Sequence, residues 1–394
     1  MSASNNDVVI IGGGVIGSSI AFHLARQRRQ VLVIERSEVA APPTASWASA
    51  GGVRRQGRHP IEAKLAIESI ERWKTLEQEL KGDLHYRRGG NLLLAESDAE
   101  AEQLSKFVSN QLKLGFADVR LVDRKEALSL VPGINDRVVA GSYSPSDGQA
   151  DPVRTTRAFA TAARHLGATY WTETFASGFL VHRERIVGVQ TERGEVHAGH
   201  VVLAAGTWSD ELAATISLRL PIRTRAFQMI LSTPAQSYVL QPVISAVSRA
   251  LSLKQLANGA FLLGGGWLGD PSPDRRSFTM RPTSMQGNWT TARELLPEVG
   301  KQRIAHSWCG LEAQSIDDIP FIGSIPGLAG LTIAVGFSGH GFALAPAVGR
   351  SVADQINGHP TPELEGLSPT RIAAFQPDAV ERFITETTKA DFLS

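Results

Sequence analysis

Residues 7–35 narrow the possibilities for this chain more than any other stretch. Asp7-Val8-Val9-Ile10-Ile11 runs into Gly12-Gly13-Gly14-Val15-Ile16-Gly17, an apolar helical pattern follows, and Val31-Leu32-Val33-Ile34 ends on Glu35. Strand, glycine turn, helix and acid-ended strand in this order make a dinucleotide grip. Gly12 permits the tight turn out of the strand, Gly14 lets the backbone approach a pyrophosphate, and Gly17 lets the helix pack closely on the sheet. The helix beginning near Val15 and Ile16 aims free N–H groups and its positive dipole end at the phosphates. Glu35 can accept hydrogen bonds from a ribose diol, and an acid there disfavours a 2′-phosphate. The spacing alone does not separate FAD from NAD.

A chain of 394 residues exceeds what one compact core normally serves, so two domains are expected, and 42% apolar residues can fill them. Lys plus Arg at 40 against Asp plus Glu at 39 leaves a net charge of +1, with no general attraction to nucleic acid or an anionic membrane. Small molecules are the expected partners. Cys309 is the single cysteine, which excludes an internal disulfide, a four-cysteine zinc site and a cysteine-ligated iron–sulfur cluster within the chain, and fits a reducing cytoplasm. No metal site is assigned. Residues 1–7 are short and polar and lack the pattern of a secretion signal. The apolar run from Val8 to Ala25 suits strand, turn and helix better than a transmembrane segment.

Beyond Glu35, the stretch from Ala40 to Gly52 is too rich in proline and glycine for an ordinary helix and reads as a close-approach loop. Pro60 suits the first turn of a helix whose Ile61, Leu65, Ile70, Trp73, Leu76 and Leu80 recur as a core stripe. Strands at Asn91–Ala95 and 138–143 around a polar helix at 97–114 have a different texture and suggest a second domain. Asp151 before Pro152 reads as an N-cap starting a helix over 152–166. Strands at 168–174, Arg185–Thr191 and 195–203 are expected to form a meander, closing in Ala204-Ala205-Gly206-Thr207-Trp208, a glycine turn that suggests a second dinucleotide contact. Residues 220–308 return to mixed strand and loop, with strands at 227–231 and 261–266. Leu331 to Val335 then runs into Gly336-Phe337-Ser338-Gly339-His340-Gly341-Phe342 and an apolar helix to Ile356. The reading is α/β: a cofactor domain from 1–81, 146–219 and 309–365, a mixed-sheet domain from 82–145 and 220–308, and a C-terminal tail at 366–394.

The amino-terminal fingerprint, Asp147-Gly148-Gln149-Ala150-Asp151-Pro152, Ala205 to Trp208 and Gly336 to Phe342 together resemble the D-amino-acid oxidase superfamily of flavoenzymes, in its sarcosine and glycine oxidase branch, over roughly residues 6–365. The FAD-carrying beta subunits of heteromeric amine dehydrogenases, such as archaeal L-proline dehydrogenase, are similar at Gly336–Val348 and Asp147–Pro152. The resemblance implies a Rossmann-like FAD domain of the glutathione-reductase type and a second, mixed-sheet substrate domain. It implies oxidation of an amino acid or secondary amine such as proline, sarcosine, glycine, an opine or a D-amino acid. Hydride would pass from the C–H next to nitrogen to flavin N5, giving an imine that hydrolyses. Carried over residue by residue, it makes Glu35 the ribose acceptor with Arg36 beside it. Thr44, Ser46, Ser49, Ala50 and Gly51 fall in the loop that passes the pyrophosphate and the flavin face, Phe175 lies near adenine, and Gly310 lies where the chain skirts the isoalloxazine. A helix starting near Gly341 would turn its N-terminus to the negative charge of a reduced flavin around N1 and C2=O.

Departures from the family pattern refine the expectation. Cys309 stands one position away from the cysteine that attaches flavin in monomeric sarcosine oxidases, and Trp47-Ala48-Ser49 offers no histidine of the dimethylglycine dehydrogenase kind, so the FAD is expected to be non-covalent. The stretch 261–269, which includes Trp267, has no lysine of the kind that assists reaction with oxygen, although Lys254 could fold inward. A dehydrogenase passing electrons to a partner subunit or acceptor is therefore expected, with FMN or an iron–sulfur cluster only in such a partner. The alternatives are a stand-alone glycine or D-amino-acid oxidase releasing peroxide, and an FAD subunit serving mainly assembly and electron transfer. The late glycine motif disfavours an NAD dehydrogenase. Where glycine oxidases place a carboxylate-binding arginine, this chain has Glu312, so Arg54 and Arg55 are the candidates to replace it, with Trp267, Glu312 and His340 as further substrate-side candidates. No general base is named, because hydride transfer from a neutral amine needs geometry and desolvation rather than a strong side-chain base.

Overall fold

The computed structural model describes residues 6–385. Residues 1–5 of the stretch 1–7, expected to carry no secretion signal, and residues 386–394 of the expected tail lie outside the described residues.

Five strands form the parallel centre of the first sheet. In spatial order they are Leu328–Val335, Gly194–Leu203, Asn6–Ile11, Val31–Ile34 and Thr169–Trp171. Side chains alternate across a strand, and here the alternation sends apolar residues to two separate cores. Val8, Ile10, Val31 and Val33 pack under the helices Val15–Arg26, Ala63–Trp73 and Gly341–Ile356, while Val9, Ile11, Leu32 and Ile34 pack on the opposite face. Both faces being covered explains why these strands read as unbroken apolar runs.

Two sequence expectations are corrected. Strand Thr169–Trp171 joins the far edge of the sheet beside Val31–Ile34 instead of a meander, and a strand at Ala176–His182 pairs with Arg185–Thr191 in its place. The helix after Pro60 is broken into a 3₁₀ turn, Pro60–Glu62, and helices Ala63–Trp73 and Leu76–Leu80. Ile61, in the turn, is 39% exposed and falls outside the core stripe.

The second, mixed sheet contains Asn91–Ala95, Arg120–Asp123, Ala140–Ser144, Val243–Ala246, Ser252–Gln255 and Ala260–Gly264, and reaches the long strand Ile222–Pro234. Ile304–Ser315 pairs antiparallel with Ile222–Pro234 along most of its length. This ribbon ties the two halves together: Ile222 and Ala313 belong to a core of the first sheet, and Ile230 to the core of the second. Positions 220 and 309, read as boundaries from sequence, therefore fall at the end of and inside one continuous ribbon. Of the expected tail, Pro369–Ala374 folds back onto the first sheet, where Arg371 donates to the carbonyls of Ile319 and Pro320 and stacks over Phe321.

Candidate active site

The C-terminal ends of the parallel strands open into a cavity of about 650 Å³, within the range of a ligand site. At one end stands the first glycine turn. Gly12 has φ +105°, and a side chain there would run into the Ala204 carbonyl, where the neighbouring strand makes its own turn. Gly17 lies against the Gly12 carbonyl and lets the helix sit close to the sheet, away from the cavity wall. The helix Val15–Arg26 has no side-chain cap at Gly14, and Val15 N–H donates to Ser46 Oγ at 2.9 Å. Gly12, Gly14, Val15 and Ile16 line the wall, with Thr44, Ser46, Ser49 and Ala50 of the loop opposite. Gly51 turns away toward the Ala150 carbonyl, and Gly52 takes its place on the wall.

Glu35 is buried on this wall and accepts from Gly13 N–H at 2.7 Å and Ser37 N–H at 3.0 Å. Burial raises its carboxyl pKa, and those two donors oppose the rise. The Arg36 guanidinium lies 4.8 Å over the Trp208 ring, whose buried Nε1 has no partner among the described residues. Phe175, half exposed, and Ala205, Gly206 and Trp208 complete this end.

At the other end the late glycine motif follows Leu328–Val335. Gly336, Phe337, Gly339, His340, Gly341 and Phe342 line the cavity, and the helix Gly341–Ile356 begins there without a side-chain cap. Gly310 lies against Ala48, and Cys309 beside it is buried against Met280, so burial pushes its thiol pKa up to about 12. Two residues along the same strand, Glu312 reaches the wall and accepts from Gly339 N–H. Burial raises the Glu312 carboxyl pKa to about 7, against the pull of that donor and of Arg58.

The cations differ from the sequence expectation. Arg54 lines the cavity, but Arg55 turns its guanidinium to Asp118 and the Phe116 ring. Arg58 takes the second place: it lines the wall, its Nε donates to the Arg54 carbonyl at 3.1 Å, and its buried Nη1 has no partner among the described residues. Burial and the neighbouring Arg54 lower its pKa to about 9. Buried Asp147 fixes this segment by accepting from the backbone N–H groups of Arg55 and Gln56. His340 Nδ1 lies 3.0 Å from Glu62 Oε1. Burial is the strongest single influence on Glu62 and opposes its ionisation, but His340, Arg58 and the His59 N–H together outweigh it and hold the carboxyl below its ordinary pKa. Burial and Arg58 lower His340 to about 4, so it is neutral at pH 7 with its Nδ1–H donated to Glu62.

Trp267 does not reach the wall. Its Nε1 donates to the Ala250 carbonyl at 2.9 Å and so supports a neighbour that does. Sequence reading missed Arg58, Asn91, Phe227, Met229, Ser245, Arg249 and Ser252, all on the wall. The signals were present: Arg58 follows Arg54 by four positions, and Phe227 and Met229 alternate along a strand already read as one. Lys254 is buried on the strand Ser252–Gln255 but is not a wall residue, and burial lowers its pKa to about 8.

Comparison with known proteins adds four findings. A family model described as FAD dependent oxidoreductase (DAO) matches residues 7–355. Glycine oxidase of Pseudomonas aeruginosa is 29% identical over 89% of this chain and 94% of its own length. The mitochondrial dimethylglycine dehydrogenase of Rattus norvegicus is 27% identical over 93% of the chain, which spans only 44% of that relative. Among solved structures, L-proline dehydrogenase from P. horikoshii superposes with a TM-score of 0.87 at 30% identity, covering 94% of this chain and 98% of that one.

Proposed function

The chain belongs to the DAO family of FAD-dependent oxidoreductases, and from that premise we propose that it oxidises an amino acid or secondary amine at the C–H next to nitrogen, with hydrolysis of the resulting imine. One observation carries the reading: a single cavity runs from a dinucleotide grip at Gly12–Glu35 to two arginines, Arg54 and Arg58, with a neutral histidine and Glu312 beside them. The wall suits FAD on its own terms. Glu35 would meet a ribose, the helix start at Gly14 and Val15 would meet a pyrophosphate, and the Trp208 Nε1, unpaired among the described residues, and the uncapped start of Gly341–Ile356 would supply further donors. When bound there, FAD supplies a two-electron acceptor for the substrate C–H.

The protein's own groups do the rest. Arg58, with one buried N–H group unpaired, binds a substrate carboxylate, and Arg54 adds a second guanidinium. Glu62 holds His340 in one orientation as a neutral imidazole. Phe227 and Met229 keep that end of the cavity apolar, which strengthens every charge–charge contact inside it. Cys309 faces Met280 and the loop 44–52 has no histidine, both of which support a dissociable cofactor.

Names of relatives suggest the range of donors. The likeness to glycine oxidase, dimethylglycine dehydrogenase and L-proline dehydrogenase supports a small amino acid or N-alkylated amino acid as substrate. A wall without lysine supports transfer of electrons to a partner subunit or other acceptor rather than rapid reaction with oxygen. The test is anaerobic addition of glycine, sarcosine, L-proline and D-alanine to the FAD-loaded protein: at least one bleaches the flavin, and no bleaching by any of them, with dithionite bleaching intact, contradicts the reading.

A further inference from the structure

A substrate amine arrives at neutral pH as an ammonium ion, and its nitrogen must lose a proton before hydride can leave the adjacent carbon. Of the ionisable residues on the cavity wall among those described, Glu35, Arg36 and Glu211 stand at the Trp208 end, where Arg36 stacks, and Arg54, Arg58 and Arg249 are cations. That leaves His340 and Glu312. His340 is committed to Glu62 through Nδ1, and its lowered pKa makes it too weak a base to hold a proton at pH 7.

Glu312 differs on both counts. Among the described residues its one hydrogen-bond donor is the N–H of Gly339, which engages Oε1, so no described residue takes up Oε2 on a group that lines the cavity. Backbone fixes it from two sides: it sits on the strand Ile304–Ser315, held along Ile222–Pro234, and its partner Gly339 begins the turn into the late helix. Charges facing it are Arg58, which favours its ionised form, Asp318, which opposes it, and Arg225, directly across the ribbon with its Nε donated to Gln314; Arg54, Glu62 and His340 lie on the neighbouring wall or behind it. Burial holds the carboxyl at about 7, where it can both take and give up a proton near neutrality.

Resting on the amine-oxidation reading above, we infer that Glu312 receives the substrate ammonium and takes its proton. An N–H bond of the ammonium breaks, an O–H bond forms on the Glu312 carboxylate, and the electron pair stays on nitrogen, so the step is a proton transfer with no change of oxidation state. Arg54 and Arg58 hold the carboxylate end of the same molecule, which gives the cavity a polarity: anion to the arginines, amine to Glu312. The proton returns to solvent after the product leaves.

Glu312→Gln keeps the shape and the acceptor oxygen toward Gly339 but cannot take the proton. Flavin reduction by whichever of glycine, sarcosine, L-proline and D-alanine bleaches the wild type is followed from pH 6 to 10. Wild-type reduction rate over dissociation constant rises through an acid limb near pH 7. In Glu312→Gln that limb disappears, the rate at pH 8 falls at least tenfold, and the deficit shrinks about tenfold per pH unit as the free amine itself becomes neutral. Glu312→Asp restores the limb. A second readout needs no turnover: the absorbance of the oxidised flavin in the substrate-free protein titrates near pH 7 in the wild type and in Glu312→Asp, and not in Glu312→Gln. Retention of the acid limb and of that titration in Glu312→Gln overturns the inference. If no amine bleaches the wild type, the functional reading falls and takes this inference with it; bleaching with an unchanged Glu312→Gln profile sinks the inference alone.

Discussion

At the scale of single residues, the chemistry turns on which arginine faces inward. Arg55 turns to Asp118 and stays off the cavity wall, whereas Arg58 lines that wall with a buried N–H group unpaired among the described residues. A hydrogen bond to a charged group contributes about 1.5–3 kcal/mol, so Arg58→Ala should raise the dissociation constant of an amino-acid substrate by roughly 10- to 150-fold. Arg55→Ala should leave it within a factor of two or so, because the mutation deletes a contact outside the cavity. Steady-state kinetics of the two variants side by side check this.

At the scale of elements, the parts of the site held by backbone pattern were legible in the sequence. The first glycine turn, the helices Val15–Arg26 and Gly341–Ile356 and the late glycine loop came from local signals: apolar runs, glycine spacing, and a helix after each turn. Gly17→Val would drive a side chain into the Gly12 carbonyl, so this variant should lose FAD uptake and melt lower than wild type, measured by bound flavin and thermal denaturation. What sequence could not show was long-range placement. Arg54, Arg55 and Arg58 are indistinguishable as letters, and only the fold, through Asp147 and Asp118, decides which of them point inward. Strand Thr169–Trp171 was found, but its neighbour was not, because a parallel partner depends on a crossover that no local pattern encodes. The ribbon of Ile222–Pro234 with Ile304–Ser315 was hidden for the same reason, its two strands lying far apart in the chain.

At the scale of the whole molecule, that ribbon makes the two sheets mechanically dependent. Ile230 is fully buried in the second core on the same strand whose Ile222 packs in the first. Ile230→Ala should cost about 2–5 kcal/mol, and both halves should unfold in one transition when followed by flavin release and by far-ultraviolet dichroism; two separated transitions would show that the ribbon does not couple them. Among the described residues no helix is long and apolar enough to cross a membrane. The proposed hand-over of electrons predicts that the reduced flavin reoxidises slowly in air and quickly with an added dye acceptor, as stopped-flow absorbance would record. The central claim is that stretches from both ends of the chain enclose one FAD whose reactive edge faces Arg58 and Glu312. The most direct measurement is a crystal structure of the FAD-loaded protein with acetate as a carboxylate mimic. It should show the dinucleotide on Gly12–Glu35, the isoalloxazine between Gly310 and the loop 336–342, and acetate hydrogen-bonded to Arg58; acetate bound elsewhere, or a flavin ring turned away from these residues, would contradict it.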